Sequence, residues 1–161
     1  MKKLVAFYSL EGNSRFVGQT IAKQIDAELF ELKTKTGRKL TGFSKYFIGG
    51  MQAVFGMKPP LAGLPKNIEK YDLVILGGPV WASRPAPAIN SFLATVKLKD
   101  ARIALFCCNG GGKTDAFFSR IRAGLKGNSI TGTASFQDPL AADRDEMKKK
   151  ITDWAKRISK K

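Results

Sequence analysis

Ser9, Glu11, Gly12, Asn13 and Ser14 stand between an apolar run, Leu4 to Tyr8, and a helical pattern through Phe16, Val17, Ile21, Ala22 and Ile25. A strand, a small polar loop and a helix together make an anion site. The first N–H groups of a helix lack internal partners, and the helix dipole is positive at that end. Ser9 and Ser14 add hydroxyls, Asn13 adds an amide, and Gly12 permits positive φ and close backbone approach. Leu10 and Glu11 complete the loop with backbone N–H groups. No Gly-Lys-Ser/Thr follows a four-residue spacer, so this is not a P-loop. With one glycine it is not a dinucleotide fingerprint either. The stretch suits a single phosphate monoester. It also fits a plain βα turn capped by Asn13 or Ser14.

Other reactive side chains are few. There is no histidine, so the commonest general base and metal ligand is missing. The two cysteines, Cys107 and Cys108, are adjacent. They cannot staple distant segments and make a structural zinc site improbable. They fit core packing better than a redox dithiol, because a ring closed between neighbours is strained. Trp81 sits in a second loop, Pro79-Val80-Trp81-Ala82-Ser83-Arg84-Pro85, and a third loop reads Asn109-Gly110-Gly111-Gly112.

Those loops need a scaffold. At 161 residues the chain reads as one domain over 1–161 with a real core. Strand patterns run from Lys3 to Tyr8, Glu28 to Lys33, Tyr71 to Gly78, Ala101 to Cys108 and Ser129 to Phe136. The third and fourth are continuous apolar runs, as expected of strands buried on both faces. Helical periodicity covers Asn13 to Ile25, the stretch opened by Pro87 with Ile89, Phe92, Leu93 and Val96, Asp115 to Leu125, and Asp143 to Ile158. Thr41 to Phe55 is also helix-like through Phe43, Phe47, Met51 and Phe55, although Gly49-Gly50 weakens it. Thr34 to Lys39 reads as a surface loop, Met57 to Pro65 as an extended connection, Gly127-Asn128 as a C-cap and Thr114 as an N-cap. The alternation predicts an α/β fold, a three-layer doubly wound sheet with five parallel strands. Ligands of such sheets sit beyond the carboxyl ends of strands, near the switch in strand order. All three loops lie there.

Lys and Arg number 28 against 13 acidic residues, a net charge of +15. The bases are dispersed and no nucleic-acid motif is present, so no specific nucleic-acid partner is expected. No apolar run reaches the ~20 residues of a membrane span. The N-terminus carries no signal-peptide pattern, and a cytoplasmic location is the expectation.

With the three loops in hand, the chain resembles the flavodoxin-like family of FMN-binding proteins, from Lys3 to about Ile158, most closely the short-chain type. The resemblance implies the strand order 2-1-3-4-5 and FMN as cofactor. Ser9, Gly12, Asn13 and Ser14 match the family's phosphate loop. Glu11 stands where a hydroxyl residue is usual, and offers only its N–H. Pro79 to Arg84 resembles the first flavin-ring loop, where Trp81 would meet the ring and Arg84 would face the N1 edge. Cys108 to Gly112 resembles the second, but without the aromatic lid that carriers commonly place there. The implied function is an FMN-binding electron carrier. Two alternatives remain: an NAD(P)H-dependent reductase of quinones or other small acceptors, and a flavin-free module using its basic surface. Flavodoxins usually present acidic surfaces. Here the sign is reversed, which implies an acidic redox partner.

Overall fold

The computed structural model describes residues 1–35 and 51–160. Of the stretch expected as a helix, Thr41 to Phe55, residues 51–55 are described and 51–54 are helical; its remainder and most of the Thr34–Lys39 loop lie outside the described residues.

Among the described residues, and besides helical residues 51–54, six strands and four α-helices alternate: β1 (Lys3–Phe7), α1 (Asn13–Ile25), β2 (Glu28–Glu31), β3 (Leu73–Trp81), β4 (Arg84–Pro85), α2 (Pro87–Thr95), β5 (Arg102–Asn109), α3 (Asp115–Ala123), β6 (Ser129–Gln137) and α4 (Arg144–Lys160). The spatial order is β2-β1-β3-β5-β6, all parallel, with β4 folded back antiparallel on β3. Counting only the five parallel strands gives the expected order 2-1-3-4-5. The order switches between β1 and β3, where connections leave in opposite directions, so a crevice opens beyond their carboxyl ends.

Strict alternation divides the strands between two cores. Val5, Phe7, Ile75, Ala104, Phe106 and Cys108 face α1 and α4. Leu4, Ala6, Val74, Leu76, Ile103, Leu105 and Cys107 face α2 and α3. This is why β1, β3 and β5 read as unbroken apolar runs. It also places the two free cysteines on opposite faces of the sheet. A bond between them would require β5 to unravel, so the dithiol reading fails on geometry. Burial pushes the Cys107 thiol up to about 11 and the Cys108 thiol up to about 12, which makes both poor nucleophiles at neutral pH.

Several local expectations shift. Strand β3 runs on to Trp81, further than its apolar run indicated. Helix α3 ends at Ala123, ahead of Leu125. The C-cap of α3 is Gly124, and Gly127-Asn128 instead closes the turn that follows: Gly127 has φ +83 and Asn128 donates to the Leu125 carbonyl from its N–H at 3.2 Å and from Nδ2 at 3.1 Å. Its side chain accepts from the Ala101 N–H at 3.0 Å and donates to the Leu98 carbonyl at 2.9 Å, tying the α2–β5 connection to the α3–β6 connection. Pro87 takes the first turn of α2 as expected, since its missing N–H costs a helix nothing there.

Gly77 sets how tightly β3 and β5 pack. A Cβ on it would lie 2.2 Å from Phe106 Cε1, inside any permitted contact. Phe106 is fully buried, and its ring occupies the space that a side chain on β3 would take.

Candidate functional site

The phosphate-loop candidate lies where β1 hands over to α1. Gly12 is the N-cap residue of α1, with φ +100, and has no side chain with which to cap the helix. The ordinary capping by Asn13 or Ser14 that the sequence allowed is therefore not used. Ser9 Oγ instead accepts from the Gly12 and Arg15 N–H groups, each at 3.2 Å, and folds the loop over the helix end. The helix itself offers no acceptor to the N–H groups of Asn13 and Ser14. Asn13 Oδ1 accepts from the Leu140 N–H at 3.0 Å, which leaves the Asn13 amide group as a donor. Leu10 and Glu11 are exposed on the outer turn.

Ser14 is the telling residue. It is 1% exposed, and its hydroxyl has no hydrogen-bond partner. The Cys108 thiol lies close enough to feel the hydroxyl, which pulls its pKa down slightly against burial, but the pair lacks hydrogen-bonding geometry. A buried unpaired hydroxyl costs free energy unless a ligand satisfies it. Here it sits in the first turn of α1, beside the Asn13 and Ser14 N–H groups, which have no acceptor within the helix, and at the positive end of the dipole. An oxyanion fits that donor set.

The cation beside this loop is already engaged. Arg15 places Nη2 2.6 Å from Glu31 Oε1 and Nε 3.1 Å from Oε2, on β2. That contact raises the guanidinium pKa still further. The loop would hold an anion through neutral donors and the helix end.

The Pro79–Pro85 segment, read from the sequence as a loop, is a hairpin. Val80 pairs with Pro85 and Trp81 with Arg84. Ala82 and Ser83 form the two-residue turn with φ +47 and +62. Positive φ at both positions marks a type I′ turn, which normally recruits Gly, Asn or Asp. Ala and Ser pay a steric cost there. The hairpin is braced from the first loop: Tyr8 meets Trp81 edge-on, centroids 5.8 Å apart at 87°. Burial, then Glu31, raises the Tyr8 pKa, so its hydroxyl stays protonated. Trp81 is half-buried, whereas Ala82 and Ser83 are exposed. Arg84 turns toward α3, where it lines a cavity with Ser119 and Arg120.

The third loop closes on its own backbone. Asn109 Oδ1 accepts from the Gly111 N–H at 2.7 Å, and Asn109 Nδ2 donates to Ser135 Oγ at 2.6 Å. Gly111 needs φ +101, and Gly110 to Gly112 are exposed. Cys108 is buried beneath, in contact with the Ser14 side. Thr114 precedes α3, but its hydroxyl makes no cap hydrogen bond.

A fourth loop, after β6, was missed. Asp138 donates its N–H to the Asn109 carbonyl at 2.9 Å. Leu140 donates to Asn13, and its side chain lies 3.3 Å from where a Cβ on Gly12 would stand. The Asp138-Pro139 turn pair before a helix was the available signal. Among the described residues no cluster of His, Cys, Asp or Glu could hold a metal, and no helix is long and apolar enough to cross a membrane.

The family described as Flavodoxin matches residues 2–157. No curated protein matches the sequence. Among solved structures, a flavoprotein from Lactobacillus acidophilus NCFM in complex with FMN is 28% identical, with TM-score 0.73, covering 83% of this chain and 92% of that one. A protein from Bacteroides uniformis ATCC 8492 is 19% identical with TM-score 0.77, covering 93% and 97%. Oxidised flavodoxin 2 from Bacillus cereus is 15% identical with TM-score 0.62, covering 99% of each. The last two establish likeness of fold.

Proposed function

The chain belongs to the flavodoxin family, and from that membership we propose that its switch-point crevice binds FMN and that the protein is an electron carrier. The observation that carries the reading is the buried, unpartnered Ser14 hydroxyl in the first turn of α1, behind a glycine at the N-cap. Ser9, Ser14, Asn13 and the first-turn N–H groups would hold the phosphate. Trp81 on its hairpin would flank the ring on one side, and the Asn109–Gly112 backbone would meet its polar edge. Bound FMN would supply one- and two-electron chemistry, and the protein would set its potential through these contacts. The FMN complex of the Lactobacillus acidophilus flavoprotein supports the choice of cofactor.

The exposed glycines 110–112 favour a second reading, a reductase of small acceptors such as quinones, because substrate would have access to the flavin face. One set of spectra separates the readings. The carrier gives a yellow protein that releases FMN in a one-to-one ratio, with Trp81 fluorescence quenched until the flavin leaves. NAD(P)H should bleach it slowly and without quinone turnover. Rapid bleaching with turnover selects the reductase, and a colourless protein that refuses FMN overturns both.

A further inference from the structure

The outer surface of α2 and α3 carries a groove with basic rims and an apolar centre, on the layer opposite α1 and α4. One cavity of about 410 Å³ is lined by Phe55, Lys58, Leu93 and Arg120 among others. Another, of about 360 Å³, is lined by Arg84, Ser119 and Arg120. Arg120 is common to both. Its Nη2 lies 3.9 Å from where a Cβ on Gly56 would stand, so its guanidinium reaches across toward the first cavity. Phe55 is 74% exposed, the most exposed of the large apolar side chains described. Among the described residues no ion pair engages Lys58, Arg84 or Arg120, whereas Arg15, Lys149 and Lys150 are paired with carboxylates.

We propose that this groove docks an acidic segment of a redox partner protein, its carboxylates on Arg84, Arg120 and Lys58 around an apolar side chain set against Phe55. The inference rests on the carrier reading and names its partner surface. Arg120 shares one cavity with Lys58 and the other with Arg84, and a carboxylate-bearing partner would complement these like charges. Phe55 shares its cavity with Arg120, and aromatic and Arg side chains are enriched in interface hot spots. The cavities are open and shallow, which suits a protein surface better than an enclosed small ligand. Position completes the case. Arg84 stands directly opposite Trp81 in the hairpin ladder, so a segment held there lies one cross-strand step from the proposed ring site.

The test compares Lys58→Glu/Arg120→Glu with Lys148→Glu/Lys156→Glu, an equal change in net charge on the opposite layer. An acidic [2Fe–2S] ferredoxin is the probe. Its affinity is measured by calorimetry, and its electron exchange with the reduced protein by stopped flow across a salt series. The groove pair should lose roughly tenfold in affinity and rate at low salt and converge with wild type at high salt. The control pair should change less than about twofold. Phe55→Ser should weaken binding by roughly fivefold or more at every salt concentration. Equal losses in both charge pairs would show that net charge, not the groove, attracts the partner, and would overturn the proposal. So would slowed reduction by NADPH with ferredoxin unaffected, which would make the groove a nucleotide site. Calorimetry reads docking without reference to the flavin. Intact docking with no electron exchange therefore refutes the carrier reading alone.

Discussion

Removing one hydroxyl interrogates the phosphate loop from two directions. In flavin-free protein the Ser14 hydroxyl is buried and unsatisfied. Such a group carries a desolvation penalty of about 1–3 kcal/mol with nothing to offset it. Ser14→Ala deletes the oxygen and keeps the Cβ, so the void is small and the penalty disappears. The Cys108 thiol loses a weak neighbour only. The flavin-free variant should be as stable as wild type, or more stable by about 0.5–2 kcal/mol. The FMN complex should respond the other way. A hydrogen bond to a charged group contributes about 1.5–3 kcal/mol, so the dissociation constant should rise roughly 10- to 150-fold.

Riboflavin lacks the phosphate, and its affinity should hold within about threefold. Urea unfolding of the two apoproteins and fluorescence titration with both flavins give the four numbers needed. Opposite signs for apoprotein stability and FMN affinity are the signature of a hydroxyl kept for a ligand. A variant destabilised by more than about 1 kcal/mol, with FMN and riboflavin weakened alike, would make Ser14 a structural residue and refute the reasoning.

Three further outcomes follow from the geometry. Gly77→Ala drives a methyl to 2.2 Å from the buried Phe106 ring and should lower stability by about 2–3 kcal/mol, read as a reduced urea midpoint at unchanged slope. Ala82→Gly relieves a left-handed residue at φ +47 and should stabilise the protein by about 0.5–1 kcal/mol; a loss instead would mean that the turn is not strained. The thiols make stability fall in alkali: their folded pKa values, about 11 and about 12, stand above the ordinary 9.0, so their contribution is complete below pH 9 and declines as pH rises through that window, by ~1.4 kcal/mol per unit for each thiol. A Cys107→Ala/Cys108→Ala variant should show a flatter alkaline limb in urea titrations at successive pH values, and an unchanged limb would place both thiols in water.

The sheet was legible because burial on both faces leaves one kind of pattern. Leu73 to Leu76 and Ile103 to Cys108 are apolar without interruption, and such a run has no solvent face to alternate with. The hairpin was not legible, for an equally physical reason. Sequence signals for a two-residue turn are Gly, Asn or Asp at the central positions, and Ala82-Ser83 offers neither. Its conformation is imposed by what holds it, the Val80–Pro85 and Trp81–Arg84 pairs and the edge of Tyr8, and those are distant in sequence or visible only once β3 is extended. Strain in a turn that also aims the only tryptophan near the crevice is what a functional hairpin would show.

The loop after β6 shows why the candidate site as a whole exceeded its sequence. Each of the three recognised loops carries its chemistry on its face, in glycines, hydroxyls or an indole. Asp138 to Asp143 carries none of these, and its contribution is positional. Its backbone donates to Asn109 on one side and to the Asn13 side chain on the other, the second contact spanning 127 residues. The Asn13 contact consumes the amide oxygen and leaves the amide hydrogens available for an anion. The N-cap of α1 is Gly12, which has no side chain to accept from the first turn. The loop with no chemistry of its own thus holds the Asn13 oxygen away from the helix end, and the pairing of β6 with β5 and the packing of α4 against α1 bring it there.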